Sequence, residues 1–260
     1  MYLAKSIAAT GLRNQQRRID TIAHNVANAN TVGFKSPRLD FKDALYTLGI
    51  TPGPPRTPAP EGNQQKGHGL MIAGIARDFR TGNFERTDRM LDFALQNEGF
   101  FALSDANGDL VYTRNGSFHL SVEDDGTYLV NGDGLYVLDD NEERIMLPFG
   151  TTTVNVRADG VLEFRNGDEL VGGATFGLYT FRNLYGLESV GMSNFTQAPS
   201  AGERLDARDS VVRQAVLEGS NINLAEEMTR LIRTQRAFQL ASRALTTADD
   251  MEGIANNMRR

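Results

Sequence analysis

One stretch constrains this chain more than any other. Leu224, Met228, Leu231, Gln235, Phe238, Ser242 and Leu245 step by alternating four and three residues. That alternation is the heptad seam of a helix that packs lengthwise against another. A thinner row, Ala237, Ala241, Ala244, Ala248, Met251, Ala255 and Met258, runs beside it. Asn223 stands at the N-cap position with Glu226 three residues on, as in a capping box. Glu226 and Glu227 in the first turn and Arg259 and Arg260 at the far end suit the helix dipole. A helix from Leu224 to Met258 would run roughly 50 Å at 1.5 Å per residue. An apolar face of that length and width needs a partner, so it reads as an assembly helix rather than an ordinary core helix.

A second seam lies in residues 2–29, where Leu12, Gln15, Ile19, Ile22, Val26 and Ala29 repeat by three and four. Arg13, Arg17 and Arg18 fall off it and read as a solvated face, three arginines being few for a membrane or nucleic-acid surface. The helix breakers Asn28, Asn30, Thr31 and Gly33 follow. Five of the eight prolines then fall between Pro52 and Pro60. Such a segment suits neither a helix nor a central strand and reads as an extended connector.

Residues 68–218 change character. Turn dipeptides recur at Asn107-Gly108, Asn115-Gly116, Asp125-Gly126, Asn131-Gly132, Asp133-Gly134, Asp159-Gly160 and Asn166-Gly167. Short alternating runs lie between them, such as Phe118-His119-Leu120 and Val154-Asn155-Val156. This pattern predicts hairpins, because asparagine and glycine tolerate the positive φ of tight turns. The middle of the chain is therefore expected to be an antiparallel β domain.

Charge is unevenly spread. Residues 1–45 hold seven Lys/Arg against three Asp/Glu, residues 220–260 six against five, and residues 46–219 fourteen against twenty-five. An acidic middle argues against wrapping nucleic acid. No cysteine is present, which excludes disulfides and thiolate chemistry. The longest apolar run, Met71 to Ala76, is too short to span a bilayer. Lys5 is followed by a broken apolar run, so a cleavable signal peptide is not expected. Asp105-Ala106-Asn107-Gly108-Asp109 fails as a calcium loop, which needs glycine sixth and glutamate twelfth. The acidic pairs Asp124-Asp125, Asp139-Asp140 and Glu142-Glu143 flank turns and read as solvated. His24, His68 and His119 lack metal-ligand spacing. Neither a nucleophile elbow nor a phosphate loop is found. The expectation is a non-enzyme without cofactor, metal or small-molecule substrate.

Asn25-Val26-Ala27-Asn28-Ala29-Asn30-Thr31-Val32-Gly33-Phe34-Lys35 resembles the N-terminal signature of the bacterial flagellar rod and hook proteins. Ser220-Asn221 through Glu227-Met228 and Gln235-Arg236 resembles that family's C-terminal signature. Gly99-Phe100-Phe101 with Tyr112 to Phe118, and Gly186 to Gly191, are similar to its central blocks. The resemblance implies a helical polymer whose terminal helices pair in an inner layer and whose β domain faces outward. It further implies self-association, contact with other rod and hook subunits, export by the flagellar apparatus, and a place in the basal body outside the cytoplasm. A central region of this size favours a rod slot over a hook slot, and overall length with a connector favours the distal one.

The expected fold is therefore α+β: long N- and C-terminal helices paired as a coiled coil around a central antiparallel all-β domain. The expected parts are assembly helices 1–33 and 220–260, a junction of 34–67 with 199–219, and a β domain at 68–198. The resemblance further implies that Val211, Val212, Ala215, Val216 and Leu217 pair with the segment after Phe34 as a small junction domain. The expected assembly interface is Leu12, Ile19, Ile22, Val26, Leu224, Met228, Leu231, Phe238, Leu245 and Met251. A competing class is a surface binding module on a coiled-coil stalk, with Phe100, Phe101, Tyr112, Phe118 and Tyr128 as an aromatic platform.

Overall fold

The computed structural model describes residues 2–44, 46–48, 65–67, 69–207 and 209–258. The proline-rich stretch 51–60, His68, Arg259 and Arg260 lie outside the described residues. The chain divides into a helical unit (1–26, 37–76 and 223–260) and a β unit (27–36 and 77–222).

In the helical unit, α1 spans Tyr2–Ala27 and α2 spans Leu224–Asn257. α1 stops two residues short of the expected boundary. Asn28 starts a turn there, its carbonyl accepting from Thr31 N at 3.2 Å and its Oδ1 from Thr31 Oγ1 at 3.1 Å. α2 begins at the expected cap: Asn223 Oδ1 accepts from Ala225 N at 3.1 Å and Glu226 N at 3.3 Å. Glu226 does not complete a capping box, because Arg230 one turn on holds its carboxylate at 2.5 Å.

The two helices run antiparallel. Lys5 of α1 reaches Asp249 at 2.5 Å and also Glu252, and Asn25 Nδ2 donates to Glu227 Oε2 at 3.5 Å. The stretches between these ties, Lys5 to Asn25 and Glu227 to Asp249, match within one turn. A two-stranded ribbon of Pro37–Asp43 and Leu70–Arg77 belongs, up to residue 76, to the same unit. Another edge of α1 follows that ribbon. Asn14 Nδ2 donates to the Leu70 carbonyl at 2.5 Å, Arg18 lies over the Phe41 ring, and Asn25 Nδ2 donates to the Pro37 carbonyl at 3.2 Å. The described flanks of the proline-rich connector are thus strands: Tyr46–Leu48 pairs antiparallel with Gln65–Gly67 as well.

The β unit is antiparallel throughout its strand pairs. Its largest sheet has ten strands with Phe100–Ser104 near the middle, between Tyr136–Val137 and Leu110–Thr113 and also bonded to Leu178–Phe181. Side chains alternate across a strand, and this one is buried on both faces. Phe101 and Leu103 enter a core with Phe93, Phe118, Leu162, Phe164 and Phe176. Phe100 and Ala102 enter another with Tyr112, Phe181 and Phe195. The rings meet edge to face, Phe101 with Phe118 at 5.3 Å and Tyr112 with Phe181 at 4.8 Å. Such pairs contribute about 0.5–1.5 kcal/mol each beyond area burial. A three-stranded sheet, Thr153–Val156, Val161–Asn166 and Glu169–Thr175, covers the first core.

The expected dipeptide turns link strands around 105–109, 123–126, 131–135, 157–160 and 166–169. Asn115-Gly116 is different. Gly116 does not turn a hairpin; a Cβ there would lie 1.9 Å from the Phe93 carbonyl oxygen. A hairpin without a dipeptide signal joins Leu187–Gly191 to Asn194–Gln197, with Met192 (φ 51°) and Ser193 (φ 62°) both left-handed.

The segment from Val211 to Leu217 does not pair with the residues after Phe34. Val212–Gln214 pairs with Phe93–Leu95 and Val216–Glu218 pairs with Phe84–Arg86. This register drives Val212 into the first core. A left-handed Ala215 (φ 56°) separates the two short strands.

Candidate functional site

The two signature segments, far apart in sequence, meet at two places. In the β unit, Lys35, Glu218 and Arg114 form a buried charged cluster, with exposures of 1 %, 0 % and 3 %. Lys35 Nζ lies 2.6 Å from Glu218 Oε1 and donates to the Arg80 carbonyl at 2.8 Å. Arg114 Nε lies 3.0 Å from Glu218 Oε2, and its NH1 donates to the carbonyls of Asn97 and Gly99 at 2.7 and 2.8 Å. Glu218 Oε1 also accepts from Gly82 N at 3.0 Å, and its backbone carbonyl accepts from Gly33 N at 2.7 Å. Burial pushes the Lys35 ammonium below its ordinary pKa, partly offset by Glu218. Burial does the same to Arg114, again against Glu218. One carboxylate thus holds two cations in a dry site, where an unpaired charge is costly. The donors are spent on internal partners, so the cluster acts as a clamp between the chain's two ends and the central block.

The backbone around the clamp explains other signature residues. Gly33 has φ 65°, and a Cβ there would lie 2.6 Å from Asn115 N. Left-handed backbone and close approach both demand glycine. Asn221 Oδ1 accepts from Ser36 N at 3.0 Å, while its Nδ2 donates to the carbonyls of Asp78 (2.7 Å) and Arg80 (3.3 Å). Arg77 NH1 donates to the Lys35 carbonyl at 3.2 Å. Phe34 and Ser220 are buried beside them.

The second meeting place is in the helical unit. Asn25 and Glu227 are both buried, and Arg230 holds the other Glu227 oxygen at 2.8 Å. The row of α2 turned inward is Glu227, Leu231, Thr234, Phe238, Ala241, Leu245, Ala248 and Glu252. It shares Leu231, Phe238 and Leu245 with the expected seam. Leu224, Met228, Gln235 and Met251 are exposed instead. The seam rotates because its polar ends have partners: Asn25 draws Glu227 inward, and Lys5 draws Glu252. A reading by hydrophobicity alone skips both glutamates. On α1, Ile22 is buried and Leu12, Ile19 and Val26 are partly buried. Asn30, Gln235 and Arg236 are exposed. Glu218 and Arg114 carried no charge-pair signal in the sequence, because nothing local marks the three charged residues as neighbours.

Residues 6–35 match the family described as "Flagella basal body rod protein". Residues 94–164 match "Flagellar hook protein FlgE/F/G D1 domain", and 213–258 match "Flagellar basal body rod FlgEFG protein C-terminal". A curated relative, the flagellar basal-body rod protein FlgG of Borreliella burgdorferi, is 34 % identical over 272 aligned positions covering 100 % of both chains. The chain belongs to the flagellar basal-body rod family. The FlgG of Bacillus subtilis is 32 % identical over 96 % of this chain and 97 % of its own. The flagellar hook-basal body complex protein FlhP of the same organism is 29 % identical over 97 % of each. The rod-family matches at the two ends include the clamp residues Lys35 and Glu218, and the central match includes Arg114. Its Asn25 and Glu227 likewise come from the two terminal matches.

Proposed function

We propose that this protein is a structural subunit of the bacterial flagellar basal-body rod, in its distal segment. α1 and α2, paired as a coiled coil, carry polymerisation into a helical tube that transmits torque from motor to hook. The assembly surface includes Leu12, Ile19, Ile22 and Val26 of α1. On α2 it includes Leu224, Met228, Leu231, Phe238, Leu245 and Met251. The β unit faces outward in the tube, and the clamp ties the segment after α1 to the segment before α2 within the β unit. Neighbours are further copies and other rod and hook subunits. The chain reaches this extracytoplasmic place through the flagellar export apparatus.

The observation that carries the reading is the end-to-end match to a rod protein named FlgG. Exposed apolar side chains along α2 support self-association: each buried CH₂ contributes about 0.8 kcal/mol, and a contact that does not close on itself builds a filament. A second reading, another subunit position in the hook-basal body complex, draws on the match to a relative named as a hook-basal body complex protein. The binding-module reading loses its platform, since Phe100, Phe101, Tyr112 and Phe118 are buried. The test is mass spectrometry of purified hook–basal bodies, with filament counts in a strain lacking the protein. Presence in the particle and loss of hook and filament growth are expected. Absence from the particle with normal motility overturns the reading.

A further inference from the structure

The helical unit holds a notch between α1, the first strand of the ribbon and the start of α2. Its volume is about 60 Å³, and its lining includes Arg18, Ile22, Asn25, Arg38, Glu227 and Arg230. Ile22, Asn25 and Glu227 are buried, while Arg18 and Arg38 are exposed, so the notch opens to solvent. Asn25 is only 3 % exposed. Its Nδ2 faces two acceptors, the Pro37 carbonyl at 3.2 Å and Glu227 Oε2 at 3.5 Å. Turning the amide over would set its oxygen against both, so the orientation is fixed. Asn25 Oδ1 is thereby left buried without a hydrogen-bond donor. A buried acceptor without a donor is costly, so this atom calls for an N–H or O–H.

The charges around the notch decide what can carry that donor. Arg230 is held by Glu226 and Glu227, and Arg38 by Asp40 at 3.1 Å. Arg18 makes neither an ion pair nor a hydrogen bond among the described residues; its guanidinium stands 5.8 Å from the centre of the Phe41 ring. Three guanidinium groups thus stand against three carboxylates, and no net charge draws an ion. A carboxylate would set oxygen against Asn25 Oδ1. An ammonium or guanidinium would meet Arg18. An apolar side chain would answer neither group. A carboxamide answers both, donating through its NH₂ and accepting through its oxygen. At roughly 10–15 Å³ per water-sized atom, the notch has room for about four to six, enough for a carboxamide and its methylene.

Building on the rod reading, we infer that a neighbouring rod subunit inserts an asparagine or glutamine side chain into this notch. Host cells carry Arg38→p-benzoylphenylalanine as the sole copy, which sets a photoreactive group on the exposed rim. Purified hook–basal bodies are illuminated, and adducts are mapped by mass spectrometry. An adduct to another protein chain, at or beside an asparagine or glutamine, is expected. The isosteric change of that residue, Asn→Asp or Gln→Glu, removes the donor and should lower the adduct yield at least about tenfold, as should Arg18→Gln. Particles that hold the photoreactive variant at wild-type amount but give no adduct overturn the inference. An adduct with neither residue type beside it does the same. So does a yield that the isosteric change or Arg18→Gln leaves unaltered, since water then satisfies Asn25. Absence of the wild-type chain from the particle would instead overturn the rod reading on which the inference rests.

Discussion

Replacing Glu218 by Gln tests the clamp directly, since it removes the one carboxylate between Lys35 and Arg114 while keeping the side-chain shape. The site is dry: Glu218 is 0 % exposed and Lys35 1 %. Breaking a buried pair by removing one partner costs about 3–5 kcal/mol. At about 1.4 kcal/mol per decade, the unfolding constant rises by roughly two to three and a half powers of ten. The assay is urea unfolding of the full chain followed by circular dichroism. The pH dependence carries the sharper signature. The folded-state pKa of Lys35 already lies below 10.5, lowered by burial against the opposing pull of Glu218. Without the carboxylate it falls further. Between that lowered value and 10.5, the unfolded chain holds a proton that the folded chain has lost. Stability therefore rises with pH across this window. The deficit of Glu218→Gln should shrink from neutral pH toward pH 10, leaving a remainder from Arg114, which stays charged. Adding Lys35→Met to the variant should recover part of the loss at neutral pH. A deficit below about 1 kcal/mol at pH 7 would refute the clamp. A deficit that grows with pH would refute it as well.

Gly33→Ala should destabilise the β unit by more than the roughly 1–2 kcal/mol of left-handed strain, because its Cβ would meet Asn115 backbone; equilibrium unfolding reads this. Met192→Gly should stabilise by up to about 1 kcal/mol, by relieving a left-handed non-glycine residue in an exposed turn; an unchanged unfolding midpoint would count against strain there. Asn223→Ala removes two cap bonds and should cost about 1 kcal/mol, seen as faster amide exchange in the first turn of α2. Leu231→Asp or Phe238→Asp should abolish incorporation into hook–basal bodies while leaving the circular dichroism of the β unit intact. Variants that still enter the particle would remove the seam from the assembly surface.

Local pattern carried much of this protein. Helical periodicity marked both helices, and Asn223 marked the start of α2 to the residue. Asparagine–glycine and aspartate–glycine pairs marked hairpin turns, because a positive φ is a demand made within two residues. The likeness to rod proteins rested on short runs whose wording is set by local backbone demands, as at Gly33. Three features depended on the tertiary structure. The seam of α2 turned by its end contacts, since the partners of Glu227 and Glu252 lie on α1, far away in sequence. The strands at Val212 and Val216 chose Phe93–Leu95 and Phe84–Arg86, because alternation fixes which face is buried but not which edge is free. Lys35, Arg114 and Glu218 became one cluster only in three dimensions. A charged residue in a sequence reads as solvated, and only the packing that excludes water makes its partner a necessity.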